Sequence, residues 1–275
     1  MSPRLIGLWL GEASGQGGSA GSGARMAAFA NFPYEIVETH GEDALATWEA
    51  LKTAGRGAPV VLGEEELDNL LVPFDPRARA RQTPIAEILA AADAIDFPDD
   101  LRRLRHEEHA EAVAYFKTIG AYGFITDEAD APLGDWPEAP WRETGPSDAD
   151  ELSVVYDVMT RQPKPTAHIA LIPTDDPTAI PAYMHWGNWN ECPSSAYHVA
   201  ALRLWRGRYG AELVGLASNA MNLRVSRRPA TREEALELAR AQYSYCNDIV
   251  DQGVRSLRAL AAGLMASHWW FFWWD

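Results

Sequence analysis

Two periods run through the apolar positions of this chain. Tyr34-Glu-Ile-Val-Glu-Thr-His40 alternates roughly every second residue, as a half-buried strand does. Glu42 to Ala54 carries Leu45, Trp48 and Leu51 at helical spacing, and Gly55-Arg-Gly57 stops it. Ala58-Pro-Val-Val-Leu-Gly63 then reads as a buried strand, so the order predicts a βαβ unit with a right-handed crossover. Thr83 to Ile95 and Pro98 to Ile119 read as two helices, each with a polar or proline start. Ala167 to Ile172 and Ile180 to His185 predict strands, with Pro181 placing the second at an edge or a strand start. Pro193 to Tyr209 predicts an amphipathic helix with His198, Leu202, Trp205 and Tyr209 on one stripe and Gly210 as its C′ residue. Ala211 to Leu216 and Met221 to Val225 flank Ser218-Asn219 as a hairpin. Thr231-Arg-Glu-Glu234 is a capping box opening a helix with Ala235, Leu238, Ala239 and Gln242 at core spacing. Ser256 to Met265 is a last helix.

The chain closes on His268-Trp-Trp-Phe-Phe-Trp-Trp-Asp275. On a strand, Trp270, Phe272 and Trp274 point one way and Trp269, Phe271 and Trp273 the other. Each ring hides roughly 150–250 Å² when buried. At ~25 cal/mol/Å², six rings gain on the order of 20 kcal/mol gross, an upper bound. A strand aromatic on both faces is interior to its sheet, or sandwiched between helices and a second layer. The expected fold is therefore α+β: a mixed β-sheet with packed helices and a central aromatic C-terminal strand.

Composition narrows the class. With 275 residues, 47% hydrophobic and 23% charged, the chain is an ordinary globular one and long enough for one large or two small domains. Gly11 to Gly23 holds six glycines and ends in no Gly-Lys-Ser/Thr, so it reads as a flexible connection and not a phosphate loop. Four prolines between 126 and 150 suggest a linker. The expected organisation is a strand and Gly/Ser-rich segment over 1–24, an acidic lobe over 25–145 and a C-terminal domain over 150–275. Residues 151–275 carry 12 acidic and 12 basic side chains, leaving 27 of the 39 acids and 12 of the 24 bases to residues 1–150. The first half thus holds the whole net charge of −15, which disfavours a nucleic-acid partner. No apolar run approaches the ~18 residues of a membrane span, and Arg4 to Leu10 is too short for a secretory core. A cytoplasmic protein is expected.

Four stretches carry a resemblance. They are Gly187 to Pro193 with His198, Trp205 to Val214, Tyr245-Cys-Asn-Asp-Ile-Val-Asp-Gln-Gly253, and the Trp-Phe-Phe-Trp-Trp-Asp ending. Together they resemble a bacterial family known as domain of unknown function 4253, over roughly 165–275, with a weaker echo at Tyr34 to Gly63. The family has Tyr-Cys-Pro-Asp where this chain has Asn247 in place of the proline. The resemblance implies no activity.

Candidate chemistry gathers at two turns. Cys192 precedes a helix, with His198 inside it and His185 upstream. A thiol at a helix N-terminus is drawn toward the thiolate, and an imidazole beside it suits a thiol-dependent hydrolase or transferase. A buried core pair is the other reading. Asp248 and Asp251, three apart beside Cys246 and Gln252, suit a ligand site or a capping turn closed by Gly253. Trp186, Trp189 and His185 with Asn190 suit an aromatic pocket or core packing. His106-Glu-Glu-His109 places its histidines three apart, not the four a metalloprotease helix needs, so a solvated helix is expected. Neither cysteine belongs to a CxxC pair, and no metal or cofactor is expected. The favoured function is a non-catalytic module binding a protein or small-molecule ligand, in an immunity or stress role. The alternative is the Cys192/His198 enzyme, assisted by Asp248 or Asp251.

Overall fold

Ala58–Leu62 and Ala167–Ile172 are buried along their whole length, because both faces of these strands are covered by packed elements. The structure, a computed structural model, describes residues 29–63, 67–119, 128, 131–138, 152–157 and 159–274. Six strands, β1 (Glu35–Thr39), β2 (Ala58–Leu62), β3 (Ala167–Ile172), β4 (Glu212–Leu216), β5 (Ala220–Arg224) and β6 (Trp269–Trp273), form one sheet in the order β1-β3-β2-β4-β5-β6. Only β2 and β4 pair in parallel; the other neighbours are antiparallel, so the sheet is mixed. The long helices are α1 (Ala44–Ala54), α2 (Ile85–Asp93), α3 (Asp99–Ile119), α4 (Ser195–Tyr209), α5 (Arg232–Tyr245) and α6 (Leu257–Ala266).

The period-2 pattern sorts side chains onto two faces. Val60, Leu62, Ala170, Ile172, Leu213, Leu223, Trp270 and Phe272 share one core with residues of α4, α5 and α6. Val61, Ile169, Val214 and Trp269 share the other with Trp48 of α1 and with Leu152, Val154 and Val155. The buried Asn222 of β5 fixes that last segment, its side-chain oxygen accepting from Ser153 Oγ at 3.1 Å and from the Val154 amide at 3.2 Å. The α+β class expected from the sequence is the architecture found. Among the described residues no helix is long and apolar enough to cross a membrane.

Local signals act as expected at several ends. Gly210 takes φ +62° after α4. Thr231 Oγ accepts the Glu234 amide at 3.2 Å, while the Glu234 carboxylate reaches one residue further back, to the Ala230 amide at 2.8 Å.

Three expectations change. Ile180 to His185 is not a strand: Pro177–Ala179 is a 3₁₀ turn and Ile180–Tyr183 a short helix. Proline at a first helical turn lacks only an amide hydrogen that would be unused there, and Asp176 caps the turn at the Thr178 amide, 3.0 Å away. The aromatic terminal strand is not central: among the described residues it lies at the sheet edge, paired with β5 alone. Its Trp270 and Phe272 are buried beneath the helical layer, whereas on its other face Phe271 stays 42% exposed and stacks on Trp273 at 5.5 Å. That second face is covered at Trp269, which is buried in the other core, and open at Phe271. Finally, β1 and β2 run parallel as a βαβ unit requires, but β3 lies between them. One sheet therefore takes strands from both sides of the 145–150 boundary. The strand expected at Arg4 to Leu10 and the Gly-rich stretch lie outside the described residues, as does most of 126–150.

Candidate functional site

The segment from His185 to Pro193 turns sharply between a short helix and α4. His185, Gly187, Asn188 and Asn190 all have positive φ, at 47°, 108°, 73° and 43°. Asparagine and histidine both tolerate this region better than most residues. At Gly187 a Cβ would lie 2.2 Å from the Pro193 carbonyl oxygen and 2.8 Å from His198 Nε2, so backbone and imidazole meet where only glycine fits. The Asn188 amide closes the turn on the Pro193 carbonyl at 2.9 Å.

This turn delivers Cys192 to His198. Cys192 Sγ lies 3.4 Å from His198 Nε2, and His198 Nδ1 lies 2.5 Å from the Tyr245 hydroxyl at the end of α5. Tyr245 donates in turn to Met221 Sδ at 3.7 Å. His198 thus meets Cys192 through Nε2 and Tyr245 through Nδ1, with the Pro193 carbonyl a further acceptor beside the ring, and burial favours the neutral form of each group. The surroundings are aromatic: the Trp186 ring is 4.7 Å and the Trp274 ring 5.6 Å from His198. Burial has the expected effect on charge. It pushes the Cys192 thiol well above the usual range, with Cys246 acting the same way and Arg105 only partly opposing. It pushes His198 down to about 3. Tyr245 is raised by its burial as well. The geometry is that of a thiol, a base and an orienting group; the charge state is that of a packed core.

The other expected residues divide. Trp186 packs edge-on against Trp189 at 4.9 Å and donates to the Ala217 carbonyl at 2.8 Å, a core role. His185, half-buried and lowered first by burial and then by Arg79, shares its surroundings with Arg79. The Cys246 thiol donates to the Trp273 carbonyl at 2.8 Å, tying α5 to β6. Asp248 and Asp251 do not share an α-helical face. The α5 helix ends at Tyr245, and Ile249–Val254 is a π-helical turn broken at Gly253. There Asp248 accepts from Gln252 at 2.8 Å and Asp251 from the Tyr243 hydroxyl at 3.2 Å. Asn190, exposed, stands at the outer tip of the first turn. Among the described residues no three His, Cys, Asp or Glu side chains are grouped to hold a metal ion.

The two turns do meet, through residues the sequence reading passed over. Asn247 Nδ2, at the position where the resembled motif has proline, donates to Glu191 Oε2 at 2.6 Å. Arg105 of α3 donates to the Glu191 carbonyl and, at 3.4 Å, to that of Ser244. Burial raises the Glu191 carboxyl above the usual range, against the pull of Arg105 and Asn247. Outside this contact, α3 and α5 enclose a cleft of about 440 Å³ with Glu191 and Asn247 in its wall. Arg105 carries no local sign of this role, because its partners are 86 and 139 residues away.

Comparison with curated proteins and with solved structures found no match. Residues 168–275 run from β3 to β6 and hold Cys192, His198, Met221 and Tyr245; they match the family described as domain of unknown function (DUF4253).

Proposed function

We propose that this is a non-catalytic binding protein of the cytoplasm, and that the Cys192–His198–Tyr245 chain is a core fastening that shapes its binding surface. One observation carries the reading: Cys192 and His198 touch, yet both are closed from solvent and held neutral by burial. A thiol nucleophile needs its thiolate and a path for the substrate, and the burial of Cys192 among the described residues opposes both. Both cysteines are buried and unpaired, as suits a reducing compartment. The contact at 3.4 Å favours the second reading, a thiol-dependent hydrolase or transferase in which His198 takes the Cys192 proton and Tyr245 orients the ring.

Iodoacetamide alkylation of native protein at pH 7, followed at Cys192 by peptide mass spectrometry, separates the two. The binding reading expects native Cys192 to react at least ~100-fold more slowly than the same residue in urea, because the rate is limited by opening of the fold. Reaction as fast as a free thiol overturns it. If His198→Asn then slows that fast reaction, the enzyme reading takes its place.

A further inference from the structure

Arginines over much of this acidic chain are matched to carboxylates: Arg56, Arg102, Arg103, Arg105, Arg203 and Arg224 all hold ion pairs. Arg77, Arg79 and Arg81 differ. All three are exposed, and among the described residues none has an ion pair or a side-chain hydrogen bond. The segment from Val72 to Gln82 sets these three against one acid, Asp75, and so bears two net positive charges. Asp75 Oδ1 is itself engaged, capping the short helix Pro76–Arg79 at the Arg77 amide, 2.8 Å away. At physiological salt, charges more than ~8 Å off are largely screened, so a partner touching this segment meets the local excess and not the −15 of the whole chain.

The same segment walls a cleft of about 610 Å³. Asn31, Phe32 and Pro33 line it from the chain before β1, and Phe74, Pro76 and Arg79 from the segment itself. The Phe32 and Phe74 rings meet edge to face at 4.8 Å, and Tyr34 packs on both, at 5.2 and 5.9 Å. Tyr34 is anchored by donating to the Tyr183 carbonyl at 2.9 Å, and Gln82 donates to the Pro73 carbonyl. This aromatic wall is therefore built before a partner arrives, while the half-buried Phe32 still has surface to cover. Burial, then Tyr183, raise the Tyr34 hydroxyl to about 12, and burial lowers the His185 imidazole; Arg79 pulls both down, and no carboxylate acts on either. The field around these rings is positive. Of the three arginines only Arg79 reaches the cleft. Arg77 lies two residues away, about 200° of helical turn, so the guanidiniums form a ridge and not a socket for one small anion.

We propose that this cleft and ridge bind an acidic peptide segment of a protein partner, one apolar side chain seated against Phe32 and Phe74 and carboxylates spaced along Arg77, Arg79 and Arg81. The planar fork of arginine matches carboxylate oxygens. The proposal rests on the binding reading and names the chemistry of its partner; its test involves no thiol, so its failure leaves the alkylation result standing.

Fluorescence anisotropy on the full chain tests it with labelled probes: a nonapeptide with one central Phe between runs of alternating Asp and Glu, the same peptide with Ala for Phe, and an oligothymidylate. The Phe peptide is expected to bind, and more weakly as salt rises. The Ala peptide is expected to bind about tenfold more weakly, the scale of one largely buried ring. Arg79→Gln is expected to weaken the Phe peptide about fivefold, the upper range for one exposed ion pair. No anisotropy change up to about 1 mM protein, or binding unchanged by Arg79→Gln in protein with wild-type circular dichroism, overturns the proposal. An Ala peptide that binds as well as the Phe peptide overturns the seating of an apolar side chain in the cleft. Tighter binding of the oligothymidylate overturns the choice of a protein partner.

Discussion

His198 makes the fold's stability depend on pH in a way that one substitution isolates. Its imidazole is fully buried, and its pKa falls from the ordinary 6.5 to about 3 in the folded chain. As pH drops, the unfolded chain therefore takes up the proton first, and folding must expel it. The contribution is whole above about pH 6.5 and is lost progressively from there down to about 3. Worked through the linkage relation, moving from pH 7 to 4.5 costs about 2.5 kcal/mol from this one group. Other groups titrate in the same range, so the comparison is a double difference. His198→Asn keeps a polar atom where Nδ1 meets Tyr245 but cannot titrate. Urea unfolding of both proteins at pH 7 and at pH 4.5 is expected to show the wild type losing about 2.5 kcal/mol more than the variant. Equal losses would refute the argument, since they would mean that the folded state protonates His198 at no cost and that the ring is not closed from water.

Two further outcomes follow from the backbone and the sheet edge. Gly187→Ala meets both a left-handed φ and the Pro193 carbonyl at 2.2 Å, and is expected to destabilise by about 3 kcal/mol or more in urea unfolding; a loss below about 1 kcal/mol contradicts the packing of that turn. Phe271→Lys removes a largely exposed ring from the edge strand, and is expected to change stability by no more than about 0.5 kcal/mol in urea unfolding; a loss above about 1.5 kcal/mol contradicts that exposure.

Features that depend on a few neighbouring residues were legible in the sequence. The alternation of Trp270 and Phe272 with Trp269 and Phe271 marked a strand, Gly210 marked the end of α4, and Thr231 marked the start of α5. The pairing of Cys192 with His198 was legible for the same reason, being six residues apart on one helix entrance. Ile180-Pro-Ala-Tyr-Met-His185 was not, because a short apolar run fits a strand and a buried helix equally and Asp176 capping decided it. Tyr245, Arg105 and Asn247 escaped for a different reason. Each acts across the tertiary fold, on partners that no spacing along the chain can announce.

The position of β3 bears on how the chain comes off the ribosome. Strands β1 and β2 are synthesised early, with α1 between them, yet neither hydrogen-bonds the other: the slot that separates them is filled by Ala167–Ile172. Until that later stretch emerges, both early strands hold bare edges. Their final pairing must wait for β3. A release or pause before residue 167 would leave an adhesive half-sheet, and this stage of biosynthesis is the one at which the molecule is most exposed to misassembly.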